Sequence, residues 1–137
     1  MSKRIPQIKP SNTGRIRSHD APDISPQQMR PKFSFEHLRN GYCILDCTTE
    51  QKAAFADRLR ELSQLTWQQI QNSPRHGQGC EIIDKSSIRE PIPANITDDV
   101  KIIAFRCIGK APMVGYRADE VFFVVWIDRC FSLYNHG

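Results

Sequence analysis

The stretch "VKIIAFRCIGKAPMVGYRADEVFFVVWID", residues 100–128, decides the fold. It reads as three apolar runs, "VKIIAFRCI" (100–108), "APMVGYR" (111–117) and "EVFFVVWID" (120–128), separated by Gly109-Lys110 and Ala118-Asp119. Connections this short join antiparallel neighbours, because a parallel pair needs a crossover of about a dozen residues or more. In the third run Val121, Phe123, Val125 and Ile127 fall on one face, and Phe122, Val124 and Trp126 on the other. Both sets are apolar, so this strand is expected in the middle of a sheet covered on both sides.

Upstream, "TTEQKAAFADRLRELSQL" (48–65) predicts a helix. Thr48 and Gln51 have the spacing of a capping box, in which each side chain satisfies the other residue's backbone N–H. Phe55, Leu59 and Leu62 recur at i, i+4 and i+7 as an apolar stripe, while Asp57, Arg58, Arg60 and Glu61 lie off it. A second box at Thr66 and Gln69 opens the short helix "WQQIQN", which Pro74 closes because proline cannot extend the hydrogen-bond ladder. Before the helices, Phe33 and Phe35 alternate with Ser34 in "KFSFEHL" (32–38) as a half-buried strand, and "NGYCILD" (40–46) starts on an Asn-Gly turn signal. That apolar run either pairs with the first strand as a hairpin or is irregular. "PRHGQGCEI" (74–82) and "SSIREPIPANITDD" (86–99) read as loops. The order β-α-α-β-β-β gives an α+β domain over residues 32–137, with a helical hairpin packed on an antiparallel sheet.

Residues 1–31 carry five of the nine prolines and no period of 2 or 3.6, the composition of a disordered leader. The formal charge of +4 is concentrated there. Within residues 1–32, Lys3, Arg4, Lys9, Arg15, Arg17, Arg30 and Lys32 are set against only Asp20 and Asp23. The plain reading is a solvated tail, and the functional one is an arm that follows phosphates or a partner. No stretch approaches the roughly 20 apolar residues of a membrane helix, and the N-terminus lacks a signal-peptide core, so a cytoplasmic protein without membrane contact is expected. Five cysteines, none paired as C-x2-C, point to reduced thiols rather than a metal site. Cys107 and Cys130, in apolar surroundings, read as core residues. No P-loop, G-x-S-x-G or paired-carboxylate motif is present, and no cofactor is expected.

The element order over about residues 33–134, together with "FRCIGKAPMVGYRADEVFFVVWID", resembles the RelE/ParE superfamily of bacterial toxins, small βααβββ proteins of toxin–antitoxin pairs. The basic leader and the short tail after the last strand depart from that pattern. The resemblance implies growth inhibition, a cognate antitoxin as partner and, from the RNA-cleaving members, a metal-independent attack of a ribose 2′-OH on the adjacent phosphate. On that reading Arg106 and Arg117 contact the phosphate, Lys110 or His136 is the base, and Tyr134 or His136 is the acid. The plain alternative is that these side chains solvate a sheet face and that the terminal "NHG" frays. His76, beside Arg75 and Gly77, is a further candidate in a loop.

A non-catalytic reading is also open. "QKAAF" (51–55) resembles the Q-x-x-L-F peptides that seat bacterial proteins on the replication sliding clamp, with Gln51 and Phe55 as contacts and alanine in place of the leucine. This resemblance implies a SocB-like toxin that blocks DNA replication. The same residues also serve as helix cap and core. A third reading is a protein-interaction module with neither activity.

Overall fold

A computed structural model describes residues 24–74 and 79–136. The chain forms strands β1 (Lys32–Ser34), β2 (Cys80–Ile83), β3 (Ile102–Ile108), β4 (Ala111–Ala118) and β5 (Val121–Ile127) and helices α1 (Thr49–Leu62) and α2 (Trp67–Gln71). The sheet order is β1-β5-β4-β3-β2. The α+β architecture and the antiparallel β3-β4-β5 meander agree with the expectation from sequence. β1 adds parallel to β5, from Lys32 opposite Val121 to Ser34 opposite Phe123, which makes the sheet mixed rather than wholly antiparallel.

Two segments differ from their sequence reading. Residues 80–82, read as the end of a loop, form edge strand β2 together with Ile83, with Cys80 opposite Phe105 and Ile83 opposite Ile102. Four residues behind a glycine-rich stretch carry too little periodicity to announce a strand; the pairing to β3 makes it one. The run at 40–46 does not pair as a hairpin. Asn40-Gly41 forms a turn closed by Tyr42 N–H to Arg39 O at 3.0 Å, with Gly41 at φ +85°, and Ile44–Asp46 is a single 3-10 turn. This segment guards the outer side of β5 beyond the short β1. Arg39 N–H donates to Val125 O at 3.0 Å and Ile127 N–H to Tyr42 O at 2.8 Å.

Both capping boxes form. Thr48 Oγ1 accepts from Gln51 N–H at 3.1 Å while Gln51 Oε1 accepts from Thr48 N–H at 2.9 Å, and Thr66 and Gln69 repeat the exchange. The helices lay Phe55, Leu62, Trp67 and Ile70 on one sheet face, against Phe105, Met113, Phe122, Val124 and Ile127. Trp67, Phe105 and Phe122 form an aromatic centre with ring separations of 5.1 to 6.5 Å. Each such buried side chain contributes about 1.5–3 kcal/mol. The packed region begins upstream of Lys32: Pro31 is buried, Met29 O accepts from Trp67 N–H at 3.0 Å, and Gln27 donates to Gln71 at 2.7 Å. Leader residues 1–23 lie outside the described residues.

Loops rather than helices cover the opposite face. Ile96, Ile102, Val114, Tyr116, Val125, Trp126, Leu133 and Tyr134 form a second core, flanked by Tyr42, Ile88 and Ile92. The strict alternation read along β5 fails at one point. Gly115 pairs with Val124 and Val114 with Trp126, so Val125 is an extra residue, a β-bulge. Val125 and Trp126 therefore share the loop-covered face, and Ile127 returns to the helix side. A second irregularity in β3 leaves Cys107 without a partner between Arg106 and Ile108.

Cys107 is core, as expected, but Cys130 is exposed on the tail beyond β5. Burial pushes the Cys107 thiol up to about 12 from the ordinary 9.0. The group therefore costs nothing below pH 9, and stability falls as pH rises from 9 toward 12, because only the unfolded thiol ionises there. A thiol reagent at pH 8 is expected to label Cys130 in the native protein and Cys107 only after denaturant is added. Labelling of Cys107 at the Cys130 rate would contradict this packing. No helix among the described residues is long and apolar enough to cross a membrane.

Candidate functional site

The bulge at Val125 sets which way the end of β5 points. Without the extra residue Asp128 would continue the helix-side series of Phe122 and Val124. With it, Asp128 falls on the loop-covered side, fully buried, with its backbone N–H donating to Pro112 O at 2.9 Å. The chain then folds back on this carboxyl group. Oδ1 accepts from Ser132 N–H at 2.8 Å, and Oδ2 accepts from Leu133 N–H at 3.1 Å. His136 Nε2 lies 2.9 Å from the same Oδ2. Leu133 is completely buried, and its carbonyl accepts from Arg89 N–H at 2.8 Å. The segment 129–136 is thus tied to the domain through Ser132, Leu133 and His136.

This tail closes one side of a cleft of about 420 Å³. β2 and β3 supply the floor through Glu81, Ala104 and Arg106, and Lys110 comes from the β3–β4 turn. Phe131, Tyr134 and His136 form the tail wall. Ala104 and Arg106 face this side because Phe105 between them packs under the helices. Gly109, at φ +58°, allows the tight turn that presents Lys110. Tyr134 and His136 stack with ring centroids 4.0 Å apart, and Phe131 meets the His136 ring edge-on at 5.1 Å.

Four of the five residues expected to act on phosphate, namely Arg106, Lys110, Tyr134 and His136, therefore line one cleft. Arg117 does not. It lies on the helix side with its guanidinium 4.2 Å from the Trp67 ring centroid and its Nε–H donating to Asp119 O, and partial burial lowers its pKa. Strand alternation explains the separation: Tyr116 points into the loop-covered core, so its neighbour points away. Arg129 is not among the residues lining the cleft. Its charge acts on the Cys47 thiol, opposing the upward shift that burial imposes there. Gln51 and Phe55 are both engaged in the fold, one in the α1 cap and the other 3% exposed in the core. Seating them on another protein requires the start of α1 to unwind. His76 lies outside the described residues.

Sequence reading missed Asp128 as the organiser of the site. A lone acid after an apolar strand usually marks the return to solvent. The available signal was the spacing Asp128, Ser132, Leu133, which suits a carboxylate collecting backbone N–H groups four and five residues on.

The arrangement supports acid–base chemistry. A carboxylate Oδ2 that accepts the hydrogen bond from Nε2–H leaves the imidazole lone pair on Nδ1. A histidine in that tautomer can take up a proton at Nδ1, and Arg106 and Lys110 bring positive charge to the same cleft. Glu81 and Asp84 line it as well, so its charge is mixed along its length. Register fixes the polarity: Arg106 and Lys110 lie toward the β3–β4 turn, and Asp84 follows β2 toward the start of β3. Comparison of the chain with protein-family models, curated proteins and solved structures found no match.

Proposed function

We propose that the protein is a ribonuclease that cleaves single-stranded RNA in this cleft, and that it acts as the growth-inhibiting member of a toxin–antitoxin pair in the cytoplasm. The observation that carries the reading is the convergence of Arg106, Lys110 and Tyr134 with a histidine held by a buried carboxyl group. His136 takes the proton of a ribose 2′-OH. The 2′-oxygen then bonds to the adjacent phosphorus as the bond from phosphorus to the 5′-oxygen breaks. Arg106 and Lys110 meet the charge that gathers on the non-bridging oxygens. The Tyr134 hydroxyl gives its proton to the departing 5′-oxygen, leaving a 2′,3′-cyclic phosphate and a 5′-hydroxyl. Every proton in this sequence comes from or goes to a side chain of the cleft.

Purified protein incubated with single-stranded RNA and EDTA is expected to release fragments with those ends. Intact RNA after prolonged incubation would refute the reading. Arg106→Ala should slow cleavage by about 100-fold, the scale of losing one charge-stabilising donor. Arg117→Ala should leave the rate unchanged and lower stability by about 0.5–1 kcal/mol, the worth of its contact with Trp67. Equal loss of cleavage in both variants would place the phosphate elsewhere. Induction in bacterial cells should arrest growth with the wild-type chain and not with Arg106→Ala.

A further inference from the structure

Phe131 combines three features that packing does not require. It is one of the few large apolar side chains left in solvent, 45% exposed. Its backbone lies at φ +58°, a left-handed conformation that glycine and asparagine adopt readily and bulky side chains rarely do. Its ring stands at the cleft wall, nearly perpendicular to His136, at an interplanar angle of 83°. The flanking hydrogen bonds enforce this posture. Phe131 N–H donates to Asp128 O, and the next two backbone N–H groups are fixed on the Asp128 carboxyl oxygens. The turn would be satisfied by asparagine with less backbone strain. A strained aromatic held in solvent beside reactive groups is suited to a flat ligand surface.

We infer that Phe131 is the stacking platform for an unpaired nucleobase next to the phosphate held by Arg106 and Lys110. The inference rests on the ribonuclease reading and names its substrate class: single-stranded RNA with an unstacked base at the cleavage site. An aromatic face accepts any base, so the platform gives affinity and register rather than a strict sequence choice. It also disfavours duplex RNA, whose bases are already stacked on one another.

The test uses the full chain and a fluorescein-labelled single-stranded oligoribonucleotide carrying 2′-fluoro groups, which bind without being cut. Anisotropy should show binding weakened by about 10-fold or more in Phe131→Asn and Phe131→Leu and retained in Phe131→Trp, on the scale of one lost stacking contact. The asparagine variant relieves the backbone and should melt at or above the wild-type temperature, which separates lost stacking from lost folding. Wild-type affinity in Phe131→Asn, or equal affinity for the duplex and the single strand, overturns the platform. If that variant melts below the wild type, Phe131→Leu against Phe131→Trp decides: equal binding by these two overturns it. The two proposals fail separately. Binding that depends on Phe131 without cleavage of ordinary RNA keeps the platform and sinks the nuclease. Cleavage indifferent to Phe131 does the reverse.

Discussion

Substituting His136 by alanine is expected to lower RNA cleavage by about 10²- to 10⁴-fold while leaving the domain folded, the usual range for removing a general base. The fold survives because the tail keeps its other anchors: Ser132 and Leu133 still donate to Asp128, and the Leu133 side chain stays buried. Asp128→Asn should approach the same loss by another route. An amide can present its NH2 group to Nε2, which turns the imidazole to the tautomer with its proton on Nδ1, where a base needs a lone pair. Asp128→Ala should also cost about 1.5–3 kcal/mol, since the buried Leu133 N–H and the part-buried Ser132 N–H lose their acceptor. Single-turnover cleavage beside thermal melting checks all three. Full activity in His136→Ala would remove the histidine from the mechanism and leave the Asp128 contact as tail architecture.

The largest stability effect is expected at Gly115. A Cβ there would lie 1.8 Å from Phe123 O and 2.9 Å from its carbonyl carbon, both backbone atoms of the paired strand. No rotamer change relieves such a contact, so Gly115→Ala must part β4 from β5 where both sheet faces are packed. The cost should exceed about 4 kcal/mol, a large share of the 5–15 kcal/mol that holds a typical domain together. Gly109→Ala meets no atom within 4 Å and bears only the strain of φ +58°, so it serves as the control. Denaturant midpoints should fall steeply for Gly115→Ala and modestly for Gly109→Ala. Equal midpoints would mean the two strands do not approach as described. Gly115 sits at the bulge that turns Asp128 to the loop-covered side, where it holds the cleft's tail wall, so any folded remnant of its alanine variant should also lose the site.

Most of the architecture was legible because it follows from local rules. Turns too short for a crossover dictated the β3-β4-β5 meander, and two Thr-Gln pairs marked the helix starts. What was not legible depends on partners distant in the chain. β1 lies parallel to β5 through a contact spanning most of the domain, and Cys80–Ile83 is a strand only because β3 offers an edge. The bulge is invisible in "VFFVVWID", where every residue is apolar and either face would accept it. That single irregularity explains why the alternation placed Trp126 beside Phe122 and why Asp128 went unnoticed. Among the site residues, the strand-end logic that gathered Arg106, Lys110, Tyr134 and His136 agrees with the cleft. It failed for Arg117, whose neighbour Tyr116 already takes the loop-covered side.

The parallel seat of β1 beside β5 has a consequence for synthesis. Residues 32–34 leave the ribosome before 121–127 and have no sheet to join until these have followed, and the cleft is walled by residues later still. Long-range closures of this kind are slow and come last. A nascent chain therefore carries β1 unpaired, and its cleft without the tail wall, until residues 121–136 have all emerged.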